Sequence, residues 1–219
     1  MAPARKQDAP AGETGANDEG TTVDRILRSA IRHFGAKGLE GARIERIAED
    51  AGVSKQLIYH YFGGKEDIYS EILNQISSQN YALLMEIDFE ALDPREAVRQ
   101  FLVGLRREYE GSPLSASVTL DQMLNSGAQI RRNPKADRMR AQLLARLDAV
   151  VERGRQQGLF NDRVTATALH VMGVVIMHGS HSYPPLFCKY AAATLGAEET
   201  QPDYWRDYAV EFFLSALRA

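Results

Sequence analysis

The sequence predicts an all-α chain, and three observations carry that prediction. Apolar residues recur at helical spacing from Thr21 to the end, whereas the strict alternation of a half-buried strand is scarce. Start signals punctuate the length: Asp93-Pro94, Ser112-Pro113 and Asn133-Pro134 each set a capping side chain before a proline suited to the first helical position. Counting starts and stops predicts about nine helices and no sheet.

The elements follow in order. The first helix opens at Thr21 or Thr22, with Asp24 placed to favour the free N–H groups of the first turn. Ile26, Leu27, Ala30, Ile31 and Phe34 share one face, and Gly38 closes the helix. A short second helix spans 43–50, turns Ile44, Ile47 and Ala48 inward, and ends at Gly52. Ser54 is an N-cap for a third helix over 55–61, with Leu57 and Ile58 as its buried pair. Gly63-Gly64 break the chain, and Lys65 begins a long fourth helix carrying Ile68, Ile72, Leu73 and Ile76. Further helices are predicted over 94–110, 113–125, from Pro134 to before Gly158, over 164–182 with Pro184-Pro185 as its stop, and over 202–217.

At 219 residues the chain can bury a substantial core, in a size range between one large domain and two small ones. Its 44% hydrophobic and 25% charged content is ordinary for a soluble protein. The net charge of −3 says nothing of an anionic partner, but its distribution does. Residues 21–65 carry eight Lys/Arg against five Asp/Glu; residues 66–219 carry sixteen against twenty. A basic module on an acidic body suits a protein that meets an anion with one end. The one cysteine, Cys188, rules out an intramolecular disulfide and a thiolate metal cluster. No run approaches the ~18 apolar residues of a membrane span. Residues 1–20, rich in Ala, Gly, Pro and charge, lack a signal-peptide core and read as a disordered arm. The expectation is a cytoplasmic protein with no membrane partner.

The informative stretch is residues 43–62, RIERIAEDAGVSKQLIYHYF. Two short helices flank a tight turn at Ala51-Gly52-Val53, where glycine allows a backbone conformation that side chains disfavour. Small Ala48 lets the helices cross closely, and Val53 and Ile58 fill the angle between them. In a helix-turn-helix, the N-terminal residues of the second helix meet base edges in the major groove. Here those are Ser54, Lys55 and Gln56. Gln56 suits an adenine edge, and Lys55 suits guanine acceptors or a phosphate. The Ser54 hydroxyl and the helix N-terminus both attract phosphate. Tyr59 and His60, one turn on, present polar tips toward the backbone, and Lys65 follows the Gly-Gly turn in reach of the same strand. Singly, each of these also has a plainer reading as a solvated polar residue; together, on one exposed surface, they point to double-stranded DNA.

Residues 25–73 resemble the DNA-binding region of the TetR (tetracycline-repressor-like) family of bacterial regulators. The stretches AIRHFGAKGLEG and IERIAEDAGVSKQLIYHYFGGKEDIYSEIL carry the likeness, above all GVSK-x3-YHYF-x2-K. The resemblance implies a helix-turn-helix domain over 21–66 and a helical effector-binding and dimerisation domain over 67–219. It implies a homodimeric repressor that its small-molecule effector releases from a near-palindromic operator. By position, Tyr59, His60 and Lys65 would contact phosphate, with Lys55 and Gln56 in the groove. One departure stands out: where the family has Thr or Ser capping the second helix, this chain has Ala42 and Arg43. Ala42 cannot cap; Arg43 replaces a phosphate contact with a full charge, and a cation at a helix N-terminus is mildly unfavourable until DNA offsets it.

The C-terminal half says less. His170, His178 and His181 share one predicted helix, with no carboxylate or Cys cluster at metal-binding spacing. A dimer seam or polar cavity patch is the plainer use for them. Gly173 and Gly179 would allow close helix approach, as at a dimer interface. Trp205, Tyr208, Phe212 and Phe213 form an apolar stripe on the last helix. LDQMLNSGAQI and HGSHSY resemble the family branch that includes the pyrimidine-utilisation regulator, a likeness that points to no ligand. Gln122, Asn125 and His178 are the polar residues expected to line an effector cavity. Neither cofactor nor metal is expected. No nucleophile elbow or phosphate loop is present, which argues against an enzyme. A ligand-independent regulator or an activator would need the same helix-turn-helix.

Overall fold

The computed structural model describes residues 21–219 apart from 112–116, 118–119, 122–132, 192, 197 and 202. The expected arm over 1–20 and most of the helix expected over 113–125 lie outside the described residues; Ser117, Leu120 and Asp121 within that helix are helical. No strand occurs among the described residues.

The first four helices build one core. Helix α1 (Thr22–Gly41) starts in a capping box: Asp24 N donates to Thr21 Oγ1 at 3.2 Å and Thr21 N donates to Asp24 Oδ2 at 2.9 Å. Gly38, at φ 65° and ψ 177°, breaks the regular helix as its residue type predicts. Helix α2 (Ile44–Ala51) has Arg43 at its N-cap with no side-chain capping bond. It ends at left-handed Gly52, where the Gly52 and Val53 N–H groups return to the Glu49 and Ala48 carbonyls. Ser54 then caps α3 (Lys55–Phe62), accepting from Leu57 N at 3.2 Å. Helix α4 (Lys65–Met85) follows Gly63, whose φ is 92°. Ile26, Phe34, Ile47, Ile58, Ile68 and Ile72 are fully buried together, and Tyr69 meets Phe34 edge-to-face with ring centroids 5.0 Å apart. Leu57, expected to be buried with Ile58, is only half-buried, because α3 shows its far side to solvent. This core continues along α4 to Ile76, so the first half of α4 packs on α1.

The second core joins Leu84 of α4 to α5 (Pro94–Gly111), α6 (Pro134–Gln156), α7 (Ala166–Ser182) and α9 (Tyr204–Ala216). Asp93, Asn133 and Thr165 cap their helices as side-chain acceptors. On α6, Gly154 lies so close to Phe160 that a Cβ there would sit 2.1 Å from the ring. Arg146 and Arg153 of α6 donate to the carbonyls of Met85, Ile87, Phe89 and Glu90, pinning the link from α4 to α5.

Two expectations are corrected. Pro184-Pro185 stops α7 but also begins a further helix, α8 (Pro184–Ala191), since proline suits the first helical turn. Gly173 faces inward onto α5 of its own chain: a Cβ there would lie 3.0 Å from Leu105 and 3.2 Å from Leu102. Its small size therefore serves packing within the chain, while Gly179 has open space where a Cβ would stand.

Candidate nucleic-acid interface

A polar clamp sets α2 against α1. Ser29 Oγ lies 3.0 Å from the Ile47 carbonyl and 2.8 Å from Asp50 Oδ2, and Arg32 Nη2 meets the same carboxylate at 2.6 Å. The Ser29 hydroxyl and the Arg32 guanidinium hold the Asp50 carboxyl below the usual range. With α2 fixed and Ile58 driven into the core, α3 exposes Lys55, Gln56, Tyr59 and His60 along one surface. Tyr61 is exposed beside them, its ring edge-on to His60.

The other residues singled out in the sequence take distinct places. Ser54 spends its hydroxyl on the cap of α3 and remains exposed. Arg43 stands exposed at the start of α2, and Ala42 beside it is buried. Lys65 is half-buried at the start of α4. Lys55 is engaged: its ammonium donates to Glu45 Oε1 and lies 5.7 Å from the centroid of the Tyr59 ring. That hydrogen bond holds the Glu45 carboxyl low and the Lys55 ammonium high. Reading the sequence missed Glu45, Asp50 and Ser29, because pairings between different helices leave no periodic signal.

In the C-terminal half, Gln122 and Asn125 lie outside the described residues. His178 is buried on α7 with Nε2 3.3 Å from the Ser182 hydroxyl. His170 stacks near Tyr81 and Phe101, and its buried Nδ1 has no hydrogen-bond partner among the described residues. Among the described residues no group of three or more His, Cys, Asp or Glu is placed to hold a metal ion, and no helix is long and apolar enough to cross a membrane. The stripe on α9 divides: Phe213 is buried, Trp205 donates to the Glu199 carbonyl, and Tyr208 and Phe212 are exposed. Phe212 of α9 and Met172 of α7 line a groove of about 660 Å³, and Val171 and Val175 of α7 are exposed too.

Comparison with known proteins agrees with this architecture. Residues 26–72 match the family described as bacterial regulatory proteins, tetR family, and residues 94–212 match the tetracyclin repressor-like C-terminal domain. The transcriptional repressor NicS of Pseudomonas putida is 24% identical over 197 residues, spanning 90% of this chain and 92% of NicS. The transcriptional regulator RutR of Escherichia coli is 47% identical over only 51 residues, 23% of this chain and 24% of RutR. Among solved structures, a tetR-family regulatory protein from Rhodococcus RHA1 superposes with TM-score 0.67 at 16% identity, covering 92% of this chain and 99% of that one. The regulator SCO4942 of Streptomyces coelicolor gives TM-score 0.63 at 20% identity, covering 90% and 98%. The chain belongs to the TetR family of bacterial regulatory proteins: it is a helix-turn-helix DNA-binding transcriptional regulator and not an enzyme.

Proposed function

We propose that this regulator is a cytoplasmic homodimeric repressor that leaves its operator when a small-molecule effector binds its C-terminal half. The observation that carries the dimer is the exposed apolar face shared by α7 and α9. Met172 of α7 and Phe212 of α9, the latter 61% exposed, line one groove, and Val171, Val175 and Tyr208 of the same two helices are exposed as well. Large apolar side chains exposed together on two packed helices are costly in water and mark a surface that another protein covers. A second copy of the same face satisfies it in a closed two-fold pair.

The pair would carry two α3 helices, about 34 Å apart, matched to half-sites one turn apart on near-palindromic duplex DNA. Lys55 and Gln56 would read bases, while Arg43, Ser54, Tyr59, His60 and Lys65 hold the phosphates. An effector that binds the DNA-incompetent conformation better shifts the population toward it and frees the operator. Gln122, Asn125 and His178 are the polar groups proposed to meet that effector, and residues 1–20 and the division near residue 66 keep their expected roles as arm and domain boundary.

The test is sedimentation of the purified chain together with footprinting on the duplex it selects from a random library. A dimer protecting two symmetric half-sites, with affinity falling steeply in salt, supports the reading. A monomer that protects a single half-site overturns it. Release of that duplex by a screened compound separates effector control from a ligand-independent regulator or an activator.

A further inference from the structure

We propose that Glu45 is a specificity-determining residue of the DNA interface, acting as a positioning residue through Lys55; this rests on the DNA-reading role given to α3 above. Glu45 sits in the first turn of α2 and Lys55 opens the recognition helix α3. Their side chains are 61% and 44% exposed, so neither owes its place to burial. The Lys55 ammonium is held between the Glu45 carboxylate and the face of the Tyr59 ring.

Two physical consequences follow from that arrangement. The first is order. A free lysine side chain gives up rotamer freedom when it docks, and here part of that freedom is already spent before DNA arrives. The second is charge. The Lys55–Glu45 pair is neutral, so the leading turn of α3 offers phosphates one positive charge fewer. Sequence-independent binding rests almost wholly on such charges, whereas a guanine edge is read by the aim of the donor. Lys55 therefore leaves Glu45 where an acceptor is well placed to replace it and stays paired elsewhere. Glu45 lowers non-specific affinity more than specific affinity, which raises the ratio between them.

The experiment compares the wild type, Glu45→Gln, Lys55→Ala and the double variant on two duplexes over a range of salt. One duplex is selected by the wild type from a random library; the other is its scrambled version. Glu45→Gln should bind the scrambled duplex about two- to fivefold more tightly per recognition helix, the range of an exposed ion pair. Its salt slope there should steepen by ~0.9 per helix. The gain on the selected duplex should be smaller, so discrimination falls. In the Lys55→Ala background the same substitution should change neither ratio nor slope. Equal changes on both duplexes would make the pair a structural tie and overturn the proposal, as would an effect of Glu45→Gln that survives without Lys55. Melting curves confirm that the variants fold. A wild type that selects no sequence overturns the DNA-reading role of α3, and this proposal with it.

Discussion

Tyr69, fully buried in the N-terminal core, donates its phenolic hydrogen to Asp121, 2.5 Å away and 52 residues later in the chain. The other oxygen of that carboxylate lies 3.1 Å from where a Cβ on Gly38 would be. One side chain from the stretch between α5 and α6 thus touches both the kink of α1 and the buried face of α4. Removing the hydroxyl with Tyr69→Phe keeps the edge-to-face contact with Phe34 and deletes the hydrogen bond to Asp121. The expected loss is about 1–2 kcal/mol, read as a lower denaturant midpoint at unchanged slope. An unchanged midpoint would show that the bond adds no net stability.

Arg43→Ser should move stability and DNA binding in opposite directions. Arg43 holds the N-cap position in extended backbone, with no capping bond from its side chain. A serine there adds an acceptor for the first turn of α2, stabilising the fold by about 0.5–1 kcal/mol. The same change removes a cation from the proposed phosphate surface, so affinity for the selected duplex falls and its salt slope flattens by ~0.9 per subunit. If stability rises while affinity and slope hold, Arg43 has no role on DNA.

Acid should weaken the C-terminal core before it reaches the carboxylates. Burial, aided by Arg140, depresses the His170 imidazole, and burial, aided by His181, depresses His178. The folded chain takes up these protons less readily than the unfolded chain. Stability is therefore full above the ordinary histidine value of ~6.5 and declines as pH drops below it. Melting temperature should fall from pH 7.5 to 5.5, and by less in His170→Phe, where an aromatic ring remains beside Tyr81 and Phe101. Equal falls in both proteins would count against His170.

Phe212→Glu should turn the proposed dimer into a monomer. Phe212 borders the groove between α7 and α9 and is exposed in the single chain, so a charge costs the isolated fold little. Across a two-fold interface the two carboxylates would meet an apolar surface with no partner. Sedimentation should give half the wild-type mass, with the helical content of the fold retained and a melting temperature no longer dependent on protein concentration. A variant that still sediments as a dimer would exclude this face.

The features legible from residue order are local ones. Gly38, Gly52 and Gly63 mark their breaks because a positive φ is cheap only without a Cβ, and all three adopt a positive φ. Asp93, Asn133, Thr21 and Ser54 announce their helices because a cap is made with neighbours three residues away or fewer. The helix-turn-helix was legible for the same reason, since its chemistry lies in one short run. Pro184 is ambiguous in residue order, because its type suits both the end of one helix and the start of the next.

What meets across helices was settled by packing in three dimensions. That Lys55 answers to Glu45, that Asp50 clamps Ser29 and Arg32, and that Asp121 reaches Tyr69 follow from side-chain placement between elements far apart in the chain. Packing likewise turned Gly173 inward and Phe212 outward, two residues whose types suit either place. Periodicity reports which face of a helix is apolar; it carries no record of which neighbour that face will find.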